Sequence, residues 1–142
     1  MIAQTIQLAL APVFVLVAMG NILGILTNRL ARIVDRSRVL QDRHGETSGS
    51  DRELVVAEIR LLDQRIAIIN RAIATLVLGG LSIGATVAIL FLEELVAFDL
   101  HRVAAGTFLL AIGLLMAALI AFLRETRLAS ASLRIPRSRV DL

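Results

Sequence analysis

Charge is absent from three long windows of the chain, residues 1–28, 72–92 and 103–123, and dense between them. Each window reaches the roughly 20 residues that a helix needs to cross about 30 Å of hydrocarbon. Only helices and closed barrels satisfy their backbone groups in lipid, and these windows lack the period-two alternation of barrel strands. The pattern therefore predicts three transmembrane helices. The first has no basic leader segment, since its first cation is Arg29, and its apolar core is long for a cleaved signal. It reads as a retained span.

Between the first two windows the apolar positions continue with a helical period. Leu23, Leu26, Leu30, Ile33 and Leu40, with Ser37 in the remaining slot, are spaced alternately three and four apart. Val55, Ile59, Leu62, Ile66, Ile69 and Ile73 repeat the pattern on the other side of a polar turn, HGETSGSD (44–51). Both are a/d seams of the kind by which two helices pack. Inside the turn, SDRE (50–53) matches a capping box, with the Ser50 side chain on the Glu53 amide and Glu53 reaching back. Residues 29–71 are thus expected to form an antiparallel helical hairpin continuous with the first two spans. It would project roughly 24 Å from Asn28. With the turn centred near residue 48, Arg32 faces Asp63, Asp35 faces Arg60 and Arg38 faces Glu58. Exposed pairs contribute only about 0.2–1 kcal/mol each, so they set register more than they stabilise. The alternative is a solvated helix surface with chance pairings.

Charge orients these elements. Residues 29–71 and the tail 124–142 hold all but one of the 15 basic residues, every one an arginine, while the connection 93–102 holds Arg102 beside Glu93, Glu94 and Asp99. Positive segments near span ends remain in the cytoplasm. The N-terminus is therefore expected outside, the 29–71 hairpin and the C-terminus inside, and 93–102 as an external turn. The Ser-rich basic tail is expected to be disordered or to lie on anionic lipid. The fold class is an all-α membrane protein of three transmembrane helices, the first and second extended into a cytoplasmic antiparallel helical hairpin. A hydrophobic content of 57% agrees with that class, since soluble domains hold about 45–50%.

The spans carry small residues four apart: Gly20 and Gly24, Gly80 and Gly84, then Gly113 with Ala117 and Ala121. Such spacing lets helices approach closely in lipid, within one chain or between copies. A homo-oligomer is expected, because three helices alone leave much surface to lipid. The first span also carries a polar line, Gln7, Phe14, Asn21, Asn28, Asp35 and Asp42, each seven residues from the next. A left-handed supercoil would hold it on one face. Carboxamides in a bilayer need partners or water. Gln7, Asn21, Asn28 and Asp35 are therefore candidate pore-lining residues, with interhelical hydrogen bonding as the alternative. Pro12 removes one helix hydrogen bond and can kink this span.

Candidate chemistry adds little. The chain has no cysteine, and His44 and His101 fall in separate loops. No metalloprotease, phosphate-loop or nucleophile-elbow motif occurs. No catalytic, cofactor or metal residue is assigned, and no nucleic-acid partner is expected. Glu93, Glu94, Asp99 and His101 cluster in the external turn, where a solvated turn is the alternative to weak cation binding.

The run NRLARIVDRSR (28–38), the second helix ending in NRAI (70–73) and the AP at 11–12 resemble an uncharacterised bacterial integral membrane family, domain of unknown function 2721. The resemblance extends to about Leu123 and leaves out the tail after Arg127. It implies a small multi-pass protein of the bacterial inner membrane, with Asn28, Arg29, Arg32, Asp35 and Arg36 as its signature, and it implies no activity or cofactor. Two functions are carried forward. One is an oligomeric ion channel or pore lined by the first span. The other is a non-conducting scaffold or signalling module whose cytoplasmic hairpin binds a partner. Membrane lipid is a partner in both, and an inorganic ion in the first.

Overall fold

A computed structural model describes residues 2–46 and 48–134, with side chains described as far as residue 130. Among the described residues the fold is three helices and no strand: α1 (Ile2–His44), α2 (Ser50–Val96) and α3 (His101–Arg134). All three are long and apolar enough to cross a membrane. The chain is a multi-pass membrane protein. At 1.5 Å per residue, α1 and α2 are each about 65–70 Å long, roughly twice the hydrocarbon thickness. Each helix therefore carries an apolar span and a charged extension without a break. The helix of α1 runs on through Pro12, which is buried.

Packing follows a seven-residue repeat. The buried positions of α1 include Thr5, Pro12, Met19, Leu26, Ile33 and Leu40. In α2 two such rows run side by side, Leu62–Ile69–Leu76–Ile83 and Ala72–Gly79–Thr86. The double row explains the architecture, because α2 packs against α1 and α3, and those two scarcely meet each other. In α3 the buried row is Ala104, Ala111 and Ala118. One cluster of buried residues runs from Leu40 and Leu62 at the Arg-rich end to Ile83 and Ala111 within the spans. All the seam positions read from the sequence, Leu23 to Leu40 and Val55 to Ile73, are buried or half-buried.

The turns differ from the sequence reading in three places. No capping box forms: α2 begins at Ser50, its N-cap is Gly49 at φ 79°, and no side chain caps it. Ser50 is already inside the helix, one position too late to cap, and a positive φ at the cap position suits glycine. Asp51 and Glu53 still place negative charge in the first turn, where the helix dipole favours it. The connection expected over 93–102 shrinks, because α2 continues through Glu93 and Glu94 to Val96. It closes on Ala97 in the left-handed region (φ 57°), whose N–H donates to the Glu93 carbonyl. Asp99 Oδ1 accepts the His101 N–H at 3.2 Å and starts α3. Lastly, α3 does not stop at Leu123 but continues to Arg134, so the first part of the tail, expected to be disordered or to lie on anionic lipid, is helix. The rest of that tail lies outside the described residues.

Candidate functional site

Three charged side chains from the three helices meet close to the ends of the apolar spans of α1 and α3. Arg29 is the first charge of α1, Arg65 precedes the apolar part of α2 by two turns, and Glu125 follows that of α3 by two residues. Glu125 is fully buried, at 0% exposure. Its Oε1 accepts a hydrogen bond from Arg65 Nε at 2.9 Å, and Arg65 Nη2 lies at ion-pair distance from the same oxygen, also 2.9 Å. Arg29 Nη2 lies 2.7 Å from Oε2, although the pair is not aligned as a hydrogen bond. The Arg29 guanidinium also sits over the Phe122 ring, 5.4 Å from its centroid, a favourable cation–π arrangement. This cluster joins all three helices, and it is the place where α1 reaches α3 through charge.

The sequence reading missed Glu125. A signal for it exists, since Ala104, Ala111 and Ala118 are the buried row of α3 and one further step of seven lands on Glu125. The period puts the carboxylate in the seam, and a buried carboxylate requires cations.

The candidate pore-lining residues Gln7, Asn21, Asn28 and Asp35 are all exposed on α1. Gly20, Gly24, Gly84 and Gly113 have no atom of another helix within 4 Å of an added Cβ, and Gly80 meets only Leu16 Cδ1 at 3.6 Å. The glycine that does bring helices together is Gly79, where a Cβ would meet Met19 Cε at 2.9 Å and Leu114 Cβ at 3.5 Å.

The three expected ion pairs do not form among the described residues. Glu58 instead pairs with Arg36, through Nε at 3.2 Å and Nη2 at 3.1 Å. Arg38 lies two residues further along α1, on another side of the helix, and it, Arg32, Asp35, Arg60 and Asp63 are exposed. Near the turn, Arg52 Nε donates to His44 Nε2 at 3.3 Å. Of the residues that the resemblance marked as a signature, Arg29 and Arg36 make ion pairs, whereas Asn28, Arg32 and Asp35 are exposed.

At the opposite end a pocket of about 230 Å³ opens between α1 and the α2–α3 turn, lined by Gln4, Thr5, Leu90, Glu93, Glu94 and His101 among others. Thr5 Oγ1 donates to Glu94 Oε2 at 3.2 Å, and His101 Nε2 lies 3.0 Å from Glu93 Oε1. Glu93, Asp99 and His101 bring one ligand atom each within 4.8 Å of one another, a spacing that a cation can bridge. The hydrogen bond from the His101 backbone to Asp99 and the contact of its ring with Glu93 give the three mutual partners without one.

Three long helices with apolar spans, charged extensions and a buried Arg–Glu–Arg cluster where the two meet define a small multi-pass α-helical membrane protein. The sequence model described as "Protein of unknown function (DUF2721)" matches residues 9–135, and the chain belongs to that family. The match passes Leu123, where the sequence resemblance ended, and takes in the Glu125 segment. No curated protein and no solved structure matches the chain.

Proposed function

We propose that the protein is a homo-oligomer of the bacterial inner membrane in which α1 of each copy faces a shared axis and lines an ion path. The observation that carries this reading is the exposure of the whole polar line, Gln7, Asn21, Asn28 and Asp35. Asn21 lies deep in an apolar span, and no group of its own chain pairs with its carboxamide among the described residues. An unpaired carboxamide facing hydrocarbon costs several kcal/mol, roughly 2–7 by transfer measures. Neighbouring copies and water at an axis remove that cost. Gly20 and Gly24 flank Asn21 with open space, and Thr27 returns its hydroxyl to the Leu23 and Gly24 carbonyls, so it presents no free donor. In this reading the N-terminus lies outside, and the extensions of α1 and α2 form an antiparallel cytoplasmic hairpin that carries Asp35 and Asp42 at the mouth. The fourteen arginines of the 29–71 and 124–142 segments support that orientation.

The test is ion flux in liposomes holding the purified protein and its Asn21→Leu variant. Leucine keeps the helix and roughly the volume while removing donor and acceptor, so flux should fall with assembly intact. If the unmutated protein passes no ions across voltage, pH and membrane tension, the ion path is wrong. The scaffold reading would then take its place, supported by the long α1–α2 extension with its buried core of Ile33, Leu40 and Leu62.

A further inference from the structure

Arg29 and Arg65 share one carboxylate, but they are held differently. Arg65 directs two nitrogens at Glu125 Oε1, and its side chain is 16% exposed. Arg29 reaches Oε2 with one nitrogen, is 31% exposed, and keeps its buried Nε without any partner. A buried carboxylate stripped of its cations is strongly destabilising. When Arg29 leaves, Glu125 still holds Arg65 and no charge is orphaned. The departing guanidinium gives up the Phe122 ring but gains water or headgroup partners, including one for the Nε that now has no hydrogen bond. When Arg65 leaves, Glu125 keeps only the single, poorly aligned contact with Arg29. One arm of the cluster is therefore easy to open and the other is not.

The rest of α1 points the same way. Between Thr5 and Arg29, no side-chain hydrogen bond joins α1 to another helix among the described residues, and the Thr27 hydroxyl bonds only to carbonyls of α1. In contrast, α2 and α3 are joined inside their spans by Ser82 Oγ on the Thr107 carbonyl at 2.6 Å and by the Thr86–Thr107 hydroxyl pair at 2.7 Å.

We infer that Arg29, Glu125 and Arg65 form a releasable latch that sets the position of α1 against a fixed α2–α3 pair. Arg65 and Glu125 are its permanent half, and Arg29 is the arm. Opening the arm releases α1 from α3 at the Arg-rich end and leaves it to rock on α2, where the Leu26, Ile33 and Leu40 seam and the Arg36–Glu58 pair still hold it, while the Thr5–Glu94 contact retains the other end. The consequence for conduction rests on the proposed path along α1, but the movement itself does not.

The chain contains no cysteine, so spin-label pairs can be placed cleanly in the full-length protein in nanodiscs, diluted with unlabelled copies. Ala31→Cys with Arg127→Cys reports α1 against α3, and Gln64→Cys with Arg127→Cys reports α2 against α3. Arg29→Gln should abolish the single narrow α1–α3 distance and leave the α2–α3 distance unchanged, whereas Arg65→Gln should broaden both. If Arg29→Gln fails to insert, Arg29→Lys carries the test, since it keeps the charge but loses the fork and should give an intermediate width. An α1–α3 distance unchanged by either Arg29 variant overturns the latch, as does equal broadening of both pairs. Measured beside these, a changed α1–α3 distance with no flux in any variant sinks the ion path and leaves the latch standing. Altered flux with unaltered distances overturns the latch.

Discussion

The two helix interfaces of this protein are built on opposite plans. Between α2 and α3 the fully buried positions of α3 are small, Ala104, Ala111 and Ala118, with Phe108, Leu115 and Phe122 half-buried beside them, Gly79 of α2 admits Leu114, and hydroxyls cross the seam at Ser82, Thr86 and Thr107. Between α1 and α2 the seam is made of large side chains, among them Met19, Leu26, Ile33 and Leu40 on α1. Polar contacts on that side sit at or beyond the ends of the apolar spans, at Thr5–Glu94, the Arg29 cluster and Arg36–Glu58. Lipid removes the hydrophobic drive for helices to associate, so close backbone approach and interhelical hydrogen bonds must hold the spans together. By that measure α2 and α3 make one unit, and α1 is a helix fastened to it at its ends. Outside the membrane, where water restores the hydrophobic effect, the large apolar seam of α1 and α2 is the better design. The same seam runs through both environments, with Met19 and Leu26 inside the apolar span and Ile33 and Leu40 beyond it.

The comparison can be broken most severely at Ala111, which has 0% exposure. Ala111→Leu inserts bulk where helices approach closely, and should cost about 1–3 kcal/mol by the usual penalty for overpacking. Unfolding in mixed detergent micelles, followed by helical signal, measures it; a loss within error would mean that the α2–α3 seam is loose. A smaller effect is expected from Thr107→Val, which removes the hydroxyl paired with Thr86. Interhelical hydrogen bonds in membranes average about 0.6 kcal/mol, and the same unfolding assay should show a loss of that order. The smallest effect separates two registers of the α1–α2 extension. Arg36→Gln should lower stability by about 0.2–1 kcal/mol, as expected for an exposed pair, and Arg38→Gln should leave it unchanged. The reverse result would restore the Arg38–Glu58 pairing read from the sequence.

Much of this architecture is local information, and the sequence by itself determined it. Charge-free windows fix where helices can lie in lipid, because each residue's transfer cost is its own. The three-and-four spacing of apolar positions fixes which face of each helix is buried, since 3.6 residues make a turn. Leu26, Ile33, Leu40, Leu62 and Ile69 are in the core for that reason alone. Periodicity says nothing, however, about how far one helix slides along another. That depends on how the turn leaves Gly49 at positive φ and on where side chains interlock. The result placed Arg36, and not Arg38, against Glu58, and Gly79, and not Gly80 or Gly84, beneath Met19. The Arg29–Glu125–Arg65 cluster is the plainest case, because its members come from three helices and are brought to one level only when all three registers are set. An isolated glutamate flanked by Arg124 and Arg127 looks like surface in the chain. Only the packing of α3 on α2 turns it inward, and only the packing of α1 gives it a second cation.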